Sequence, residues 1–479
     1  MVGFKIRLLL TVGIFLSIVN ADRTVLIDPT DRWQVFEGWG TSLCWWANVL
    51  GGFPDNVRNQ AADLVFGLNK GLGLGLNVIR YNIGGGDNPS HHHMRIGGDV
   101  PGFRSCENCD YNWTSDANQR WILLAAKERG ADIFEAFANS PPYWMTNSNC
   151  SSGGQNNDNN LNPDYYDQFA DYLTEVVKWY KEEHGLTFRT LGPFNEPTTG
   201  NWSEFGNQEG CSYFLDYLAM ANVIDKIGAY LNSKGLSNTT SVSIAEEGAF
   251  EGEIATIDAI STLQLIGDHA LSYVSQYNTH AYLGISRIRL FDKAKNDGRR
   301  LWMSEWGSWS SKDMSASIQL SEEILNDMRN LKPVAWVYWQ IIEHAPNGTY
   351  GNEYGLIGAD FSNSTTHLDI RLSFYGFAQY TNFIRPGYQI ISTDDGDTLA
   401  AQDASNKTLV LVCTNKNNAS DIWNFNVSKF NLSLINVYRT SNDNETLKLL
   451  PNIWNITDGI LTYESPANSI TSLIFNVTQ

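Results

Sequence analysis

The sequence predicts an α/β fold: a (β/α)8 TIM barrel with an accompanying β-sandwich domain built mainly from the C-terminus. Three observations predict it. Between residues 34 and 385 short apolar runs alternate with amphipathic stretches of helical length, the runs number eight, and beyond Gly387 short β-rich runs are separated by Asn, Asp, Ser and Gly turns. Eight strands each followed by a helix fit a closed barrel better than an open doubly wound sheet. A chain of 479 residues is long enough for both units.

In chain order, residues 1–21 come first, with Lys5, Arg7, an apolar run over 8–19 and the small-residue pattern Val19-Asn20-Ala21. That arrangement predicts a signal peptide and a secreted, extracellular chain beginning near Asp22. The run is too short to span a bilayer and no later one is long enough, so no membrane span is expected. A strand-like run at 24–27 precedes the barrel and is placed to join the later sandwich, making that domain discontinuous. The barrel is assigned to 22–386, with strands at 36–42, 78–81, 133–138, 188–195, 242–246, 273–280, 301–305 and 335–340. Helices are expected at 165–183, where Phe169, Tyr172, Leu173, Val176, Val177 and Tyr180 recur at spacings of three and four, and at 211–231. The Gly84-Gly85-Gly86 run lacks the spacing of a phosphate-binding loop and reads as a plain turn. The sandwich is assigned to 387–479, with strands at 408–414, 434–439 and 470–477.

A formal net charge of −19 speaks against nucleic acid and polyanions and favours a neutral ligand. Sixteen Trp and 21 Tyr are consistent with stacking on flat sugar faces, although aromatic residues are more often core. Thirteen Asn-X-Ser/Thr sites agree with a secretory route, and seven of them lie beyond residue 387. The six cysteines read as disulfides or buried thiols, and Cys106/Cys109 is a lone CxxC without a second pair at zinc spacing. His91-His92-His93 resembles a metal-binding tract in isolation, but no matching ligand set accompanies it in the sequence. It is taken as a cleft-wall segment, no metal or cofactor is expected, and the chain is expected to be a monomer.

Two acids stand out. Glu196 in LGPFNEP (191–197) and Glu305 in LWMSEWG (301–307) each close an apolar run and precede a turn, as a carboxylate at the tip of a buried strand should. Two such tips, on strands 4 and 7, match the pair a glycoside-cleaving site needs: one acid to protonate the leaving oxygen, one carboxylate to act at the anomeric carbon. Either alone could be an ordinary surface glutamate.

With these acids the strings GWGTSLCWWA (38–47), VIRYNIGGGD (78–87), ANSPPYWM (138–145), PFNEP (193–197), THAYLG (279–284) and SEWGSW (304–309) are similar to the retaining glycosidases of clan A, and specifically to glycoside hydrolase family 30. Within it, MRIGGDVPGF (94–103) and QEGC (208–211) most resemble the endo-β-1,6-galactanases. The resemblance implies Glu196 as acid/base, Glu305 as nucleophile, Tyr282 hydrogen-bonded to the nucleophile and Arg80 beneath it. It also implies a sugar subsite lined by Asp87, Trp144, Asn195, His280 and Trp339. The substrate it implies is a neutral β-linked galactose polysaccharide or oligosaccharide, cut with retention. A β-glucanase, xylanase or glucosylceramidase activity on the same layout, and a non-catalytic carbohydrate-binding protein, remain the alternatives.

Overall fold

The computed structural model describes residues 23–478 apart from 69–71, 252–257, 350–353 and 452–455. The expected signal peptide lies outside the described residues. No described helix is long and apolar enough to cross a membrane.

After a long first strand, β1 (Arg23–Val35), eight strands close a parallel barrel. They are β2 (Gly38–Ser42), β3 (Val78–Asn82), β4 (Ile133–Phe137), β5 (Thr190–Gly192), β6 (Ser241–Ala249), β7 (Val274–Leu283), β8 (Arg300–Trp306) and β9 (Ala335–Gln340). Closure is made where Gly38 and Gly40 of β2 stand beside Ala335 and Val337 of β9. These strands are buried on both faces, which is why they read as apolar runs rather than as alternating patterns. Helices wrap the outside. Tyr166–His184 turns Phe169, Tyr172, Leu173, Val176, Val177 and Tyr180 inward and ends at Gly185, whose φ of 54° gives the left-handed cap that glycine accepts without a Cβ clash.

Two expected elements are shorter than the sequence suggests. β5 stops at Gly192, because Pro193 has no N–H to give the ladder. The helix expected from 211 begins at Tyr217 (Tyr217–Ser233), where the Asp216 carboxylate caps the Ala219 N–H at 3.0 Å. An unexpected three-stranded sheet, Ile342–His344, Ile357–Ala359 and Asp369–Ile370, follows β9 at the barrel mouth.

The rest of the chain forms a ten-stranded sheet that includes β1. β1 pairs in parallel with Asp421–Asn426 through Arg23 to Leu26, and antiparallel with Gln389–Thr393 through Ile27 to Val35. It thus serves both halves of the sheet, which enclose one core containing Val25, Ile27, Leu411, Trp423, Phe425, Tyr463 and Phe475. The outer face of the sheet packs on the barrel. Ile390, Val410, Val412 and Ile470 belong to the barrel's hydrophobic cluster, and the hydroxyls of Ser321, Tyr380 and Thr414 meet at the seam. One disulfide joins Cys106 to Cys109, while Cys44, Cys150, Cys211 and Cys413 are buried free thiols.

Candidate active site

The charged groups at the barrel centre come from the barrel strands, Arg80, Glu135 and Glu246 from within β3, β4 and β6, His280 and Glu305 from the later part of β7 and β8, and Glu196 from the turn after β5. Arg80 on β3 is fully buried and faces three carboxylates: Nη1 donates to Glu305 Oε2 at 3.0 Å, Nη2 lies 3.2 Å from Glu246 Oε2, and Nε lies 3.5 Å from Glu135 Oε1. Its guanidinium also sits 4.0 Å over the Phe137 ring. A cation in that position offsets the cost of burying acids that would otherwise repel each other.

His280 on β7 links the two glutamates singled out in the sequence. Its Nδ1 is 3.0 Å from Glu196 Oε1, and its Nε2 is 3.2 Å from Glu246 Oε2 and 3.6 Å from Glu305 Oε2. Burial opposes a charged imidazole, but Glu305, Glu196 and Glu246 outweigh it and push His280 up to about 10. Both ring nitrogens then donate. One oxygen of Glu196 and one of Glu305 lie within 4.8 Å of each other and of a His280 nitrogen. Tyr282 completes the surroundings of Glu305 by donating to Oε1 at 3.1 Å. Burial raises Glu305 above the ordinary carboxylate range and Glu196 adds to that rise, while His280 and Arg80 act against it.

Glu196 is held by its backbone. Its φ is +45°, a conformation that costs a non-glycine residue about 1–3 kcal/mol and recurs at functional sites. The Glu196 N–H donates to the Glu246 carbonyl at 2.7 Å, and Trp202 Nε1 donates to the Glu196 carbonyl at 3.1 Å. Gly248 leaves clearance for the side chain, since a Cβ there would stand 3.1 Å from Glu196 Oε1.

Glu246 and Glu135 were not singled out from the sequence. Glu246 accepts from Ser304 Oγ at 2.7 Å, Asn278 Nδ2 and His280; burial alone would raise it, but Arg80 and these donors lower it to about 2. Glu135 accepts from Thr190, Gln276 and Asn278, yet burial and the neighbouring Glu246 push it up to about 7. An acid inside an otherwise apolar strand, as in IFEAF (133–137), was the available clue, because such a group is buried only when paired. Two further acids brace the loops. Glu247 joins Thr198 and Thr262, and Glu209 of the QEGC string accepts from Asn82 Nδ2 at 2.7 Å and Gly85 N at 2.9 Å.

Of the expected subsite residues, Asn195 lies beside Glu196 with its buried Oδ1 meeting no protein donor among the described residues. Trp339 packs edge-on against Trp45 with Phe137 and Tyr354, forming an apolar wall next to Arg80. Beside that wall opens a cavity of about 370 Å³ lined by Trp45, Arg95, Asn207, Gln340, Glu343 and Phe361. Trp144 is tied by its indole N–H to the Arg104 carbonyl at 3.0 Å and by Tyr165, so no described contact joins it to the charged centre. Asp87 faces His91 and His93 in the loop after β3, at 3.5 and 3.0 Å.

The sequence model of O-glycosyl hydrolase family 30 matches residues 22–273. An endo-β-1,6-galactanase of Hypocrea rufa is 34% identical over 436 residues, covering 86% of this chain and 85% of that protein. An exo-β-1,6-galactobiohydrolase of Bifidobacterium longum subsp. longum is 24% identical, covering 87% of this chain but 36% of that longer protein. Among solved structures, the catalytic domain of a family 30 xylanase C from Talaromyces cellulolyticus aligns with a TM-score of 0.72 at 20% identity, covering 95% of this chain and 100% of that one.

Proposed function

This chain belongs to glycoside hydrolase family 30, and on that premise we propose that it is a secreted, retaining endo-β-1,6-galactanase with Glu305 as nucleophile and Glu196 as acid/base. The observation that carries the mechanism is the approach of a Glu196 oxygen to within 4.8 Å of a Glu305 oxygen. Retaining pairs stand about 5 to 5.5 Å apart, whereas inverting pairs leave about 6.5 to 9.5 Å for a water between them.

In the first step Glu196 gives its proton to the glycosidic oxygen while a Glu305 oxygen attacks C1; the C1–O bond breaks, the leaving sugar departs as an alcohol, and a glycosyl ester forms. In the second, the Glu196 carboxylate takes a proton from water as the water oxygen attacks C1, and Glu305 is released as a carboxylate. His280 occupies Glu196 Oε1, which leaves Oε2 to face the leaving oxygen. Tyr282 and Arg80 each take one oxygen of Glu305 and fix the direction of its remaining lone pairs. The unmatched Asn195 Oδ1 suits a sugar hydroxyl, and the Trp339 wall suits an apolar sugar face.

The galactan assignment is supported by the name of the Hypocrea rufa relative, which aligns along most of both chains. A net charge of −19 is compatible with a neutral polysaccharide. The test is a panel of β-1,6-galacto-, β-1,6-gluco- and xylo-oligosaccharides, with the anomer of the first-formed product followed by NMR. Release of internal fragments from the galacto-series as the β-anomer is expected. Cleavage confined to the gluco- or xylo-series overturns the substrate, and an initial α-anomer overturns retention.

A further inference from the structure

A second cluster of side chains with ligating atoms occupies loops at the same end of the barrel, outside the charged centre. Asp87 and the histidine tract follow β3, Cys150 follows β4, and residues 203–207 follow β5. We propose that Asp87, His91, His93 and Cys150 bind one divalent transition-metal ion of the zinc type. One ligating atom from each lies within 4.8 Å of those of the other three. The tract shows no full ligand set in the sequence because its fourth member, Cys150, arrives from the loop after β4.

The hydrogen bonding points the same way. His93 Nδ1 donates to the Gly206 carbonyl, which fixes the ring and turns Nε2 inward. Nε2 faces Asp87 Oδ2 at 3.0 Å and Cys150 Sγ at 3.5 Å, so nitrogen, oxygen and sulfur ligand atoms converge on one point. His91 Nδ1 is buried without a hydrogen-bond partner, 3.5 Å from Asp87 Oδ1. A divalent cation among these atoms satisfies all of them at once. Its charge is balanced by one thiolate and one carboxylate, so a partly buried site becomes neutral. Two imidazoles, a thiolate and a carboxylate are a nitrogen–sulfur–oxygen donor set suited to tetrahedral zinc and unsuited to calcium or magnesium. Phe205 lies edge-on to both imidazoles at 5.0 and 5.4 Å and covers them on one side, and Cys150 is fully buried. A bound ion would pin the loops after β3 and β4 to each other and, through His93 and Gly206, to the loop after β5.

The test uses the full secreted chain, stripped with a chelator under reducing conditions and titrated with Co2+. One equivalent per chain is expected, with the intense thiolate-to-cobalt charge-transfer absorption of a tetrahedral site, displaced by Zn2+. Cys150→Ser should abolish the charge-transfer band and His93→Ala should weaken binding at least about tenfold. His92→Ala, in the same tract but exposed, should bind as the unaltered chain does. The absence of a charge-transfer band in the unaltered chain overturns the proposal even if a variant fails to fold. So does binding that survives Cys150→Ser and His93→Ala but is lost in His92→Ala, because that pattern describes a surface histidine tract.

Discussion

The barrel centre and the loop cluster around Asp87 use overlapping residue types, acids and histidines, but differ in what surrounds them. At the centre every acid has fixed partners: Arg80 touches Glu135, Glu246 and Glu305, His280 bridges Glu196 to Glu246, and Tyr282, Ser304 and Asn278 supply hydrogen bonds. Protons there are distributed by the protein itself. Around Asp87 the inward-facing atoms are those a cation would engage: His93 Nε2, His91 Nδ1, Cys150 Sγ and the Asp87 carboxylate. The difference teaches that clustering of titratable groups does not define chemistry; the nature of the neighbouring donors does.

The sharpest way to break the comparison is Glu305→Gln. If the centre is built around a nucleophile, kcat/KM on galactan falls by on the order of 10⁴-fold or more, with the circular-dichroism spectrum unchanged. Undiminished turnover places the nucleophile elsewhere.

Glu196→Gln is next in size and separates two roles. Loss of an acid/base group should cost about 10² to 10⁴-fold on a natural galacto-oligosaccharide. An aryl galactoside, whose leaving group departs without a proton, should lose far less in its first step. The same variant removes one cause of the raised Glu305, so the acidic limb of kcat/KM on the aryl substrate should move to lower pH. The sign follows because a carboxylate nucleophile attacks only when ionised. Equal losses on both substrates would make Glu196 a structural residue.

The smallest effect concerns stability. Glu135 and Glu247 are both raised by burial to about 7, so the fold prefers their protonated forms. Their contribution is largest below their unfolded values and declines as pH rises through about 7. Glu246 and Glu445, lowered to about 2, act in the opposite sense and lose stability as pH falls from about 4.5. The melting temperature should therefore peak near pH 5 and drop by a few degrees at pH 8, and Glu135→Gln should flatten that drop. A peak at pH 8 in the unaltered chain would contradict the burial effect.

The barrel was legible because parallel strands buried on both faces appear as continuous apolar runs, and all eight were located. Glu196 and Glu305 were legible because each follows such a run and precedes a turn. Glu135 and Glu246 were missed because they lie within strands, where an acid looks like a break in a pattern until its partner, Arg80, is brought alongside from β3. The Asp87 cluster was incomplete in the sequence for a different reason: Asp87, His91 and His93 share one loop, but Cys150 joins them from the loop after β4. The three-stranded sheet after β9 rests on strands of two or three residues, too short to leave a periodic trace.

β1 ends with a consequence for biosynthesis. Its first residues are paired with a strand four hundred positions later, and its remaining residues with one somewhat nearer. A ribosome emits Arg23–Val35 before the barrel strands and Asp421–Asn426 after them, so this strand must stay unpaired while the barrel it adjoins is being made. The sheet domain thus closes only after the whole barrel between its strands has been synthesised.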